Sequence, residues 1–390
     1  MKYIARTLAA RLRNGLKTFA AVMITGPRQC GKSTFARHEM PDASFVDLER
    51  PQDYAHVVSD IELFLDECRM PVIVDEAQRL PALFPALRHA LDKQKAKGRV
   101  VLLGSASPPL LHMAAEALTG RLAVLELSPF SCGELAGTVS WMHRWMFGGL
   151  PPLYHLPSND ERISWLEQYV SSFLERELAV MGIRTPAVRL RQCWGMLTHL
   201  HGQQLCIADL ATSLGVSARA VMHYLDLLEH AHMIRRLPPF FAHIGKRLVK
   251  QPKVYIRDSG ILHYLAGLRA PGDLETWPGR GRSFEGLVVE ELIARGRQEL
   301  SAPEFFFWRT SAGAEVDLLV KHGRDILAFE IKHAAAVNHY DVMGLRHCMA
   351  DLNLSRGVVV ARVAEQRSLG HGITVMPWDR IVSGLSPFEA

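Results

Sequence analysis

Cysteine is sparse in this chain: six in 390 residues, at positions 30, 68, 132, 193, 206 and 348, with no CxxC pair among them. That scatter excludes a disulfide framework and a zinc knuckle and fits a reducing compartment. Long apolar runs are missing as well. Nothing approaches the roughly eighteen consecutive apolar residues that a membrane helix needs. Near the N-terminus Arg11, Arg13 and Lys17 interrupt the apolar residues before a signal-peptide core can form. Low-complexity tracts and internal repeats are absent, and 22% charged beside 48% hydrophobic content argues against disorder. A soluble, cytoplasmic protein without membrane attachment is expected, long enough for two or three domains. Charge of one sign is also scarce: 45 Lys and Arg against 40 Asp and Glu leave only +5. Any binding to nucleic acid must therefore come from the distribution of charge.

Five short apolar runs punctuate the first third: residues 20–25, 44–48, 71–75, 99–104 and 122–127. Helical patterns fill the gaps, as in Leu83, Leu87 and Leu91 on one stripe. Buried strands alternating with helices predict a mostly parallel sheet covered on both faces. The first run ends in Gly26-Pro27-Arg28-Gln29-Cys30-Gly31-Lys32-Ser33, followed by Thr34 and a helical segment. This matches GxxxxGK(S/T), a phosphate-binding loop. Its amides surround the β-phosphate, Lys32 reaches the β- and γ-phosphates, and the Ser33 hydroxyl holds Mg²⁺. The implied cofactors are ATP and Mg²⁺.

A hydrolase of this kind also needs an acid at the end of a neighbouring strand. Val72-Ile73-Val74-Asp75-Glu76 supplies it: Asp75 to hold Mg²⁺ through water, Glu76 to polarise the attacking water. The fourth run ends near Ser105, which either senses the γ-phosphate or caps the next helix. Arg121, just before the fifth run, is an arginine finger or sensor, or an ordinary loop arginine. If it acts in trans, the protein is a homo-oligomer.

The middle of the chain reads as a helix-turn-helix. Residues 206–217 give a helix, a turn at Gly215 and a cap at Ser217. The second helix buries Val221, Leu225 and Leu228 and leaves Arg219, Ala220, His223 and Tyr224 to face outward. Residues 233–237 and 253–257 then suit the hairpin of a wing. From Arg235 through Arg257 there are seven Lys or Arg and no acid. With Arg219 and His223, the wing cations Arg247, Lys250 and Lys253 form an electrostatic footprint for a phosphate backbone. The other reading is a winged helix used as a protein interface or as a lever on the ATPase. Base-specific readout has no support.

In the last third, Glu315-Val316-Asp317-Leu318-Leu319-Val320 is joined by a short turn to residues 325–332, ending Glu330-Ile331-Lys332. An Asp on one strand and Glu-x-Lys on its hairpin partner is the arrangement of the PD-(D/E)xK nucleases. There two carboxylates bind Mg²⁺ and the lysine orients the attacking hydroxide. Glu285 lies on a buried helical stripe with Val288, Val289 and Leu292, where a carboxylate needs a partner or a metal. A second metal site at Glu285, Asp317 and Glu330, with Lys332, is the expectation. The alternative is a solvated ion pair on an amphipathic strand.

Together these pieces resemble a known family. Residues 26–29, 74–78, 118–121 and 127–131 are similar to bacterial and archaeal AAA-type ATPases whose core is joined to a long C-terminal domain of unknown function. Residues 173–177, 253–260, 284–286, 308–310 and 313–317, with 330–332, match that C-terminal region. The resemblance covers nearly the whole chain. It implies ATP binding and hydrolysis, a winged-helix segment and a nuclease-like tail. The expected fold is α/β: an AAA-type P-loop ATPase core over 1–140, a helical linker over 141–200, a winged-helix segment over 201–270 and a PD-(D/E)xK nuclease-like α/β domain over 271–390. The function expected is an ATPase acting on DNA without sequence specificity, in repair or recombination. Its rivals are a nucleotide-controlled switch binding protein and an ATP-gated, Mg²⁺-dependent nuclease.

Overall fold

A computed structural model describes residues 3–94, 97–104, 114, 116–180, 187–241 and 250–389. Two compact units divide the chain, one comprising residues 1–130 with 230–232 and the other residues 131–229 with 233–390.

The first unit is built on β1 (Ala21–Thr25), β2 (Ser44–Asp47), β3 (Val72–Asp75), β4 (Val100–Leu103) and β5 (Leu122–Glu126), in the order β2-β3-β4-β1-β5. Every pairing is parallel. Alternation along the strands explains why these runs are apolar throughout. Ala21, Met23, Val72, Val74, Val100 and Leu102 enter one core, which includes Leu83, Phe84 and Leu87 of the helix Leu83–Gln94. Val22, Ile24, Ile73, Val101 and Leu103 enter a second core with Leu12 and Phe35 on the opposite face. A strand buried on both sides cannot carry polar residues until it ends. The polar residues therefore collect at the strand ends, and parallel pairing sets those ends at common edges. Thr25 stands opposite Glu126, and Asp47 opposite Asp75.

In the second unit, a three-stranded antiparallel sheet of β6 (Gln203–Gln204), β7 (Ile234–Leu237) and β8 (Lys253–Ile256) has β8 in the centre. The helices Ile207–Leu214 and Ala218–His230 lie between β6 and β7 in the chain, joined by a left-handed turn at Gly215. A six-stranded sheet follows, made of β9 (Glu304–Arg309), β10 (Glu315–His322), β11 (Asp325–Lys332), β12 (Gly357–Ala361), β13 (Arg367–Ser368) and β14 (Ile373–Pro377). Its order is β13-β14-β12-β11-β10-β9. One face packs on the helix Arg280–Glu299 through Phe284, Leu287, Val288, Phe329 and Val358. The other face packs on the helix Met343–Leu352 through Val316, Leu319, Val359 and Leu345.

Segments expected as linker, winged helix and tail contribute to a single core. Trp145, Phe147, Leu237 and Tyr255 belong to the same cluster as Phe284, Phe329 and Trp378, and the Trp145 indole donates to Ser283 Oγ at 2.9 Å. Tyr224 departs from expectation. It is buried, because Val221, Tyr224, Leu225 and Leu228 share one helical stripe. Arg219 and His223 are exposed, with Met222 between them in the sequence.

Candidate functional site

The phosphate-binding loop leaves the end of β1 and enters the helix Lys32–Glu39, whose N-cap Gly31 is left-handed at φ 91°. Gly26 is needed for a close approach: a Cβ there would lie 2.2 Å from the Leu127 carbonyl oxygen. Arg28 is partly exposed, Gln29 and Thr34 are exposed, and Pro27 and Cys30 are buried. The loop is held from behind by Arg6, whose guanidinium donates to the Cys30 carbonyl at 3.0 Å and also to that of Ser128. Arg6 is a residue that motif reading passes over. It precedes the first helix and belongs to no recognisable pattern, so its signal lies only in the fold.

Lys32 is buried, and its ammonium donates to the carbonyls of Gly26 and Pro27, each at 3.0 Å. Ser33 Oγ donates to Asp75 Oδ2 at 2.5 Å. The two oxygens expected to share Mg²⁺ are thus neighbours, brought together by the parallel β1, β4 and β3. Glu76 follows in the left-handed region at φ 53°, and its backbone N–H donates to Asp75 Oδ1 at 3.0 Å. Its carboxylate accepts from Gln78. Burial raises the Glu76 pKa, with Asp75 adding to the rise and Lys32 opposing it. A carboxyl more basic than usual suits a group that accepts a proton from water. The set fits a nucleotide with Mg²⁺: two oxygens for the metal, and a cation resting on neutral carbonyls that phosphate oxygens can replace.

Ser105 lies outside the described residues. Arg121 stands at the opposite edge of the sheet from the loop, since Leu122, the next residue, pairs with Ala21 at the start of β1. Its guanidinium is bound to Asp92 at 2.5 Å and to the Thr119 carbonyl at 2.9 Å. A sensor role toward its own chain's nucleotide does not agree with that position.

The basic footprint of the middle segment is largely neutralised from within. Arg235 and Arg257 both grip Glu290, with Arg257 Nε 2.9 Å from its carboxylate. Burial alone would raise the Glu290 pKa, but the two guanidiniums hold it down at about 2. Arg236 is bound to Glu229 and Asp226. Arg247 falls outside the described residues, and Lys250 is exposed.

Lys253 must be corrected. It is 1% exposed and not a surface cation of the wing. Position 253 opens the central strand β8, all four of whose residues are buried. There the ammonium meets Glu285 at 2.9 Å, Glu315 at 2.5 Å and Asp317 at 3.2 Å. Burial works against its charge, yet Glu285, Tyr255, Asp317 and Glu315 outweigh it and hold the pKa well above the usual lysine range.

The carboxylates of the tail do converge, but around this lysine. Glu285 reaches it because Gly286 lets the helix Arg280–Glu299 close onto His201, where a Cβ would lie 2.2 Å from Nε2. Asp317 sits where the β9–β10 register slips between Val316 and Leu319, an irregularity that re-aims side chains. Its Oδ2 accepts from the Ile331 N–H at 2.9 Å. Glu330 is bound to Lys332 at 2.7 Å. Burial, then the charge of Asp317, pushes the pKa values of Glu285 and Glu330 upward. Among the described residues no three His, Cys, Asp or Glu side chains are grouped to hold a metal. Glu285, Asp317 and Glu330 with Lys332 do not fit the metal site expected of them, because the Lys253 ammonium already sits on Glu285 and Asp317 while Glu330 Oε1 is bound to Lys332. Among the described residues no helix is long and apolar enough to cross a membrane.

Residues 18–136 match the AAA domain family, residues 138–272 a domain of unknown function (DUF8612), and residues 280–381 a second domain of unknown function (DUF4143). The chain is 40% identical over 382 residues to Uncharacterized protein Rv2008c of Mycobacterium tuberculosis and to Uncharacterized protein Mb2031c of Mycobacterium bovis. Each alignment covers 97% of this chain and 84% of the relative. Among solved structures, the Walker-type ATPase PABY2304 of Pyrococcus abyssi is 13% identical with a TM-score of 0.46, covering 67% of this chain and 96% of that one. The STAND protein PH0952 of Pyrococcus horikoshii is 11% identical with a TM-score of 0.28, covering 76% and 49%. With a phosphate-binding loop on a parallel sheet, and relatives aligned over nearly its full length, the chain belongs to a family of AAA-type P-loop ATPases that carry a C-terminal domain of unknown function.

Proposed function

We propose that the protein binds ATP with Mg²⁺, hydrolyses it, and couples turnover to DNA held without sequence specificity by a winged helix. The observation that carries the first half is the 2.5 Å contact between Ser33 and Asp75 beside a buried Lys32. Bound ATP and Mg²⁺ supply the phosphoryl group and the Lewis acid. The chain's own residues then divide the remaining work. Lys32 exchanges its two carbonyl partners for phosphate oxygens, Ser33 and Asp75 present oxygen ligands, and Glu76 accepts the proton of the attacking water.

Support for the second half comes from topology. A strand, two helices and two further strands, with the last strand central, is the order of a winged helix. Arg219 and His223 are exposed on the second helix, which is the recognition helix of such a motif. A second reading is favoured by a specific observation. Arg235, Arg236 and Arg257 are bound by the chain's own acids, and Met222 is 37% exposed beside His223. That surface also suits a protein partner of a nucleotide-controlled switch.

The test is the ATPase rate of the purified protein with duplex, single-stranded and junction DNA, beside the salt dependence of DNA binding. Replacing Arg219, His223 and Lys250 with Ala should weaken binding evenly across sequences. It should also flatten the salt slope by about 0.9 log unit for each lost phosphate contact. DNA that neither binds nor stimulates turnover leaves the protein-partner reading in place.

A further inference from the structure

The tail presents an acidic hairpin of the kind that holds a divalent metal, and a buried lysine from a different sheet enters it. We propose that the Lys253 ammonium is the resident cation of this site, standing where a metal-dependent phosphodiesterase holds its metal, so that the tail binds no divalent metal there and cuts no nucleic acid.

Three observations support this independently. The first is saturation. An ammonium has three protons, and Lys253 Nζ faces three carboxylates, those of Glu285, Glu315 and Asp317, at 2.9, 2.5 and 3.2 Å. The carboxylate oxygens that face the ammonium are committed as well. Asp317 gives Oδ1 to Lys253 and Oδ2 to the Ile331 N–H. Glu285 Oε1 also accepts from the Tyr255 hydroxyl at 2.6 Å. Glu315 is bound to Arg309 as well, and Glu330 to Lys332. A metal would have to displace the ammonium from Glu285 Oε1 and Asp317 Oδ1, since Glu330 Oε2, which has no hydrogen-bond partner, cannot hold it alone.

The second is immobility. Lys253 opens the central strand, and its backbone is paired with Gln204 on one side and Leu237 on the other. With that backbone fixed and the side chain 1% exposed, the ammonium moves aside only if the packing around it opens.

The third is charge. Lys253, Lys332 and Arg309 supply three positive charges against at most four from Glu285, Glu315, Asp317 and Glu330, of which the raised pKa values of Glu285 and Glu330 leave fewer near neutrality. A cluster this close to balance gains little from a dication, which would be repelled by a buried ammonium at contact distance.

The experiment is a calorimetric titration of the full chain with Mn²⁺, without nucleotide so that the phosphate-binding loop has none to share a metal with. Thermal melts at the same Mn²⁺ concentrations run beside it. The parent and Asp317→Asn should give the same heats, and neither should gain a Mn²⁺-dependent rise in Tm. Heat present in the parent and lost in Asp317→Asn overturns the proposal, and that pair of titrations needs no Lys253 variant to fold. Lys253→Ala removes the ammonium and leaves room. It should gain a Mn²⁺ binding heat and a Mn²⁺-dependent rise in Tm that the parent lacks, and both gains should vanish in the double variant with Asp317→Asn. A folded Lys253→Ala that gains no Mn²⁺ binding also overturns it.

Discussion

Two buried lysines, one in each unit, differ in what surrounds them. Lys32 rests on the carbonyls of Gly26 and Pro27, which are neutral and belong to its own loop. Lys253 rests on three carboxylates from the helix Arg280–Glu299 and from β10, remote in sequence and fixed by packing. Hydrogen bonds to neutral carbonyls are weak enough to exchange for a phosphate's charge. Three carboxylates around one ammonium are a finished arrangement, because breaking a buried pair leaves an uncompensated charge. A lysine kept ready for a ligand is therefore distinguished by its partners rather than by its depth. Removing the first should cost function and spare stability, whereas removing charges around the second should lower stability and leave ATP binding unchanged.

The largest effect is expected at Lys32. Hydrogen bonds to charged groups contribute about 1.5–3 kcal/mol each, so Lys32→Ala should weaken ATP binding on the order of a hundredfold or more. Calorimetry with ATP and Mg²⁺ measures this, and the melting temperature without nucleotide should stay near that of the parent. Glu76→Gln should keep ATP bound and lower turnover by roughly 10² or more, the usual contribution of a positioned proton acceptor. Two variants that bind and hydrolyse ATP like the parent would show that the loop is not the site.

The complementary experiment breaks another finished cluster of the second unit. Glu290 compensates both Arg235 and Arg257, so Glu290→Ala leaves two largely buried guanidiniums facing each other. Chemical denaturation should show a loss of about 3–5 kcal/mol, with ATP affinity unchanged. The pH dependence has a defined sign. Glu290 titrates at about 2 in the fold against an ordinary 4.5, so it is a depressed acid. Its stabilisation is complete above 4.5 and is lost as pH falls toward 2. The stability gap between the parent and Glu290→Gln should be widest near neutrality and narrow progressively below pH 4.5. A gap that stays constant through that range would place the effect elsewhere.

How much of this was legible in the sequence follows from the same contrast. The inner strands β1, β3 and β4 were readable because strands buried on both faces must be apolar until they end, and the loop because its chemistry is local in sequence. The helix-turn-helix pattern was legible in Gly215 and in the stripe of Val221, Leu225 and Leu228. Tyr224 was misplaced, although its spacing from Val221 and Leu228 puts it on the buried stripe. The hairpin carrying Asp317 and Glu330 was also legible, but its partner was not. Nothing in the spacing of Lys253 announces that β8 is a central strand, or that Gly286 brings Glu285 within reach of it. The seven cations from Arg235 to Arg257 looked like a surface because the acids that hold four of them, among them Glu229, Glu290 and Asp317, lie outside that stretch. Local sequence can count charges; only the fold pairs them.

The smallest effect is expected at Arg121, and it tests whether the first unit's site is complete at one edge of its sheet. Parallel pairing sets Leu122 against Ala21 and Glu126 against Thr25, with Gly26 just beyond. Arg121 is therefore six residues of strand away from the loop, about 20 Å at the usual rise, which an arginine side chain cannot span. Its present partner, Asp92, lies on the helix Leu83–Gln94 and is exposed, so the pair adds little that salt does not screen. Arg121→Ala should accordingly leave ATP affinity within about twofold of the parent, a difference of roughly 0.4 kcal/mol. A larger change in dilute protein would mean that the far edge does reach the nucleotide. Turnover should respond differently if neighbouring chains share a site. In that case Arg121→Ala should lose activity when concentrated and regain part of it when mixed with Lys32→Ala, because each would supply what the other lacks. Unchanged turnover at every concentration would leave Arg121 as the surface residue that its contact with Asp92 suggests.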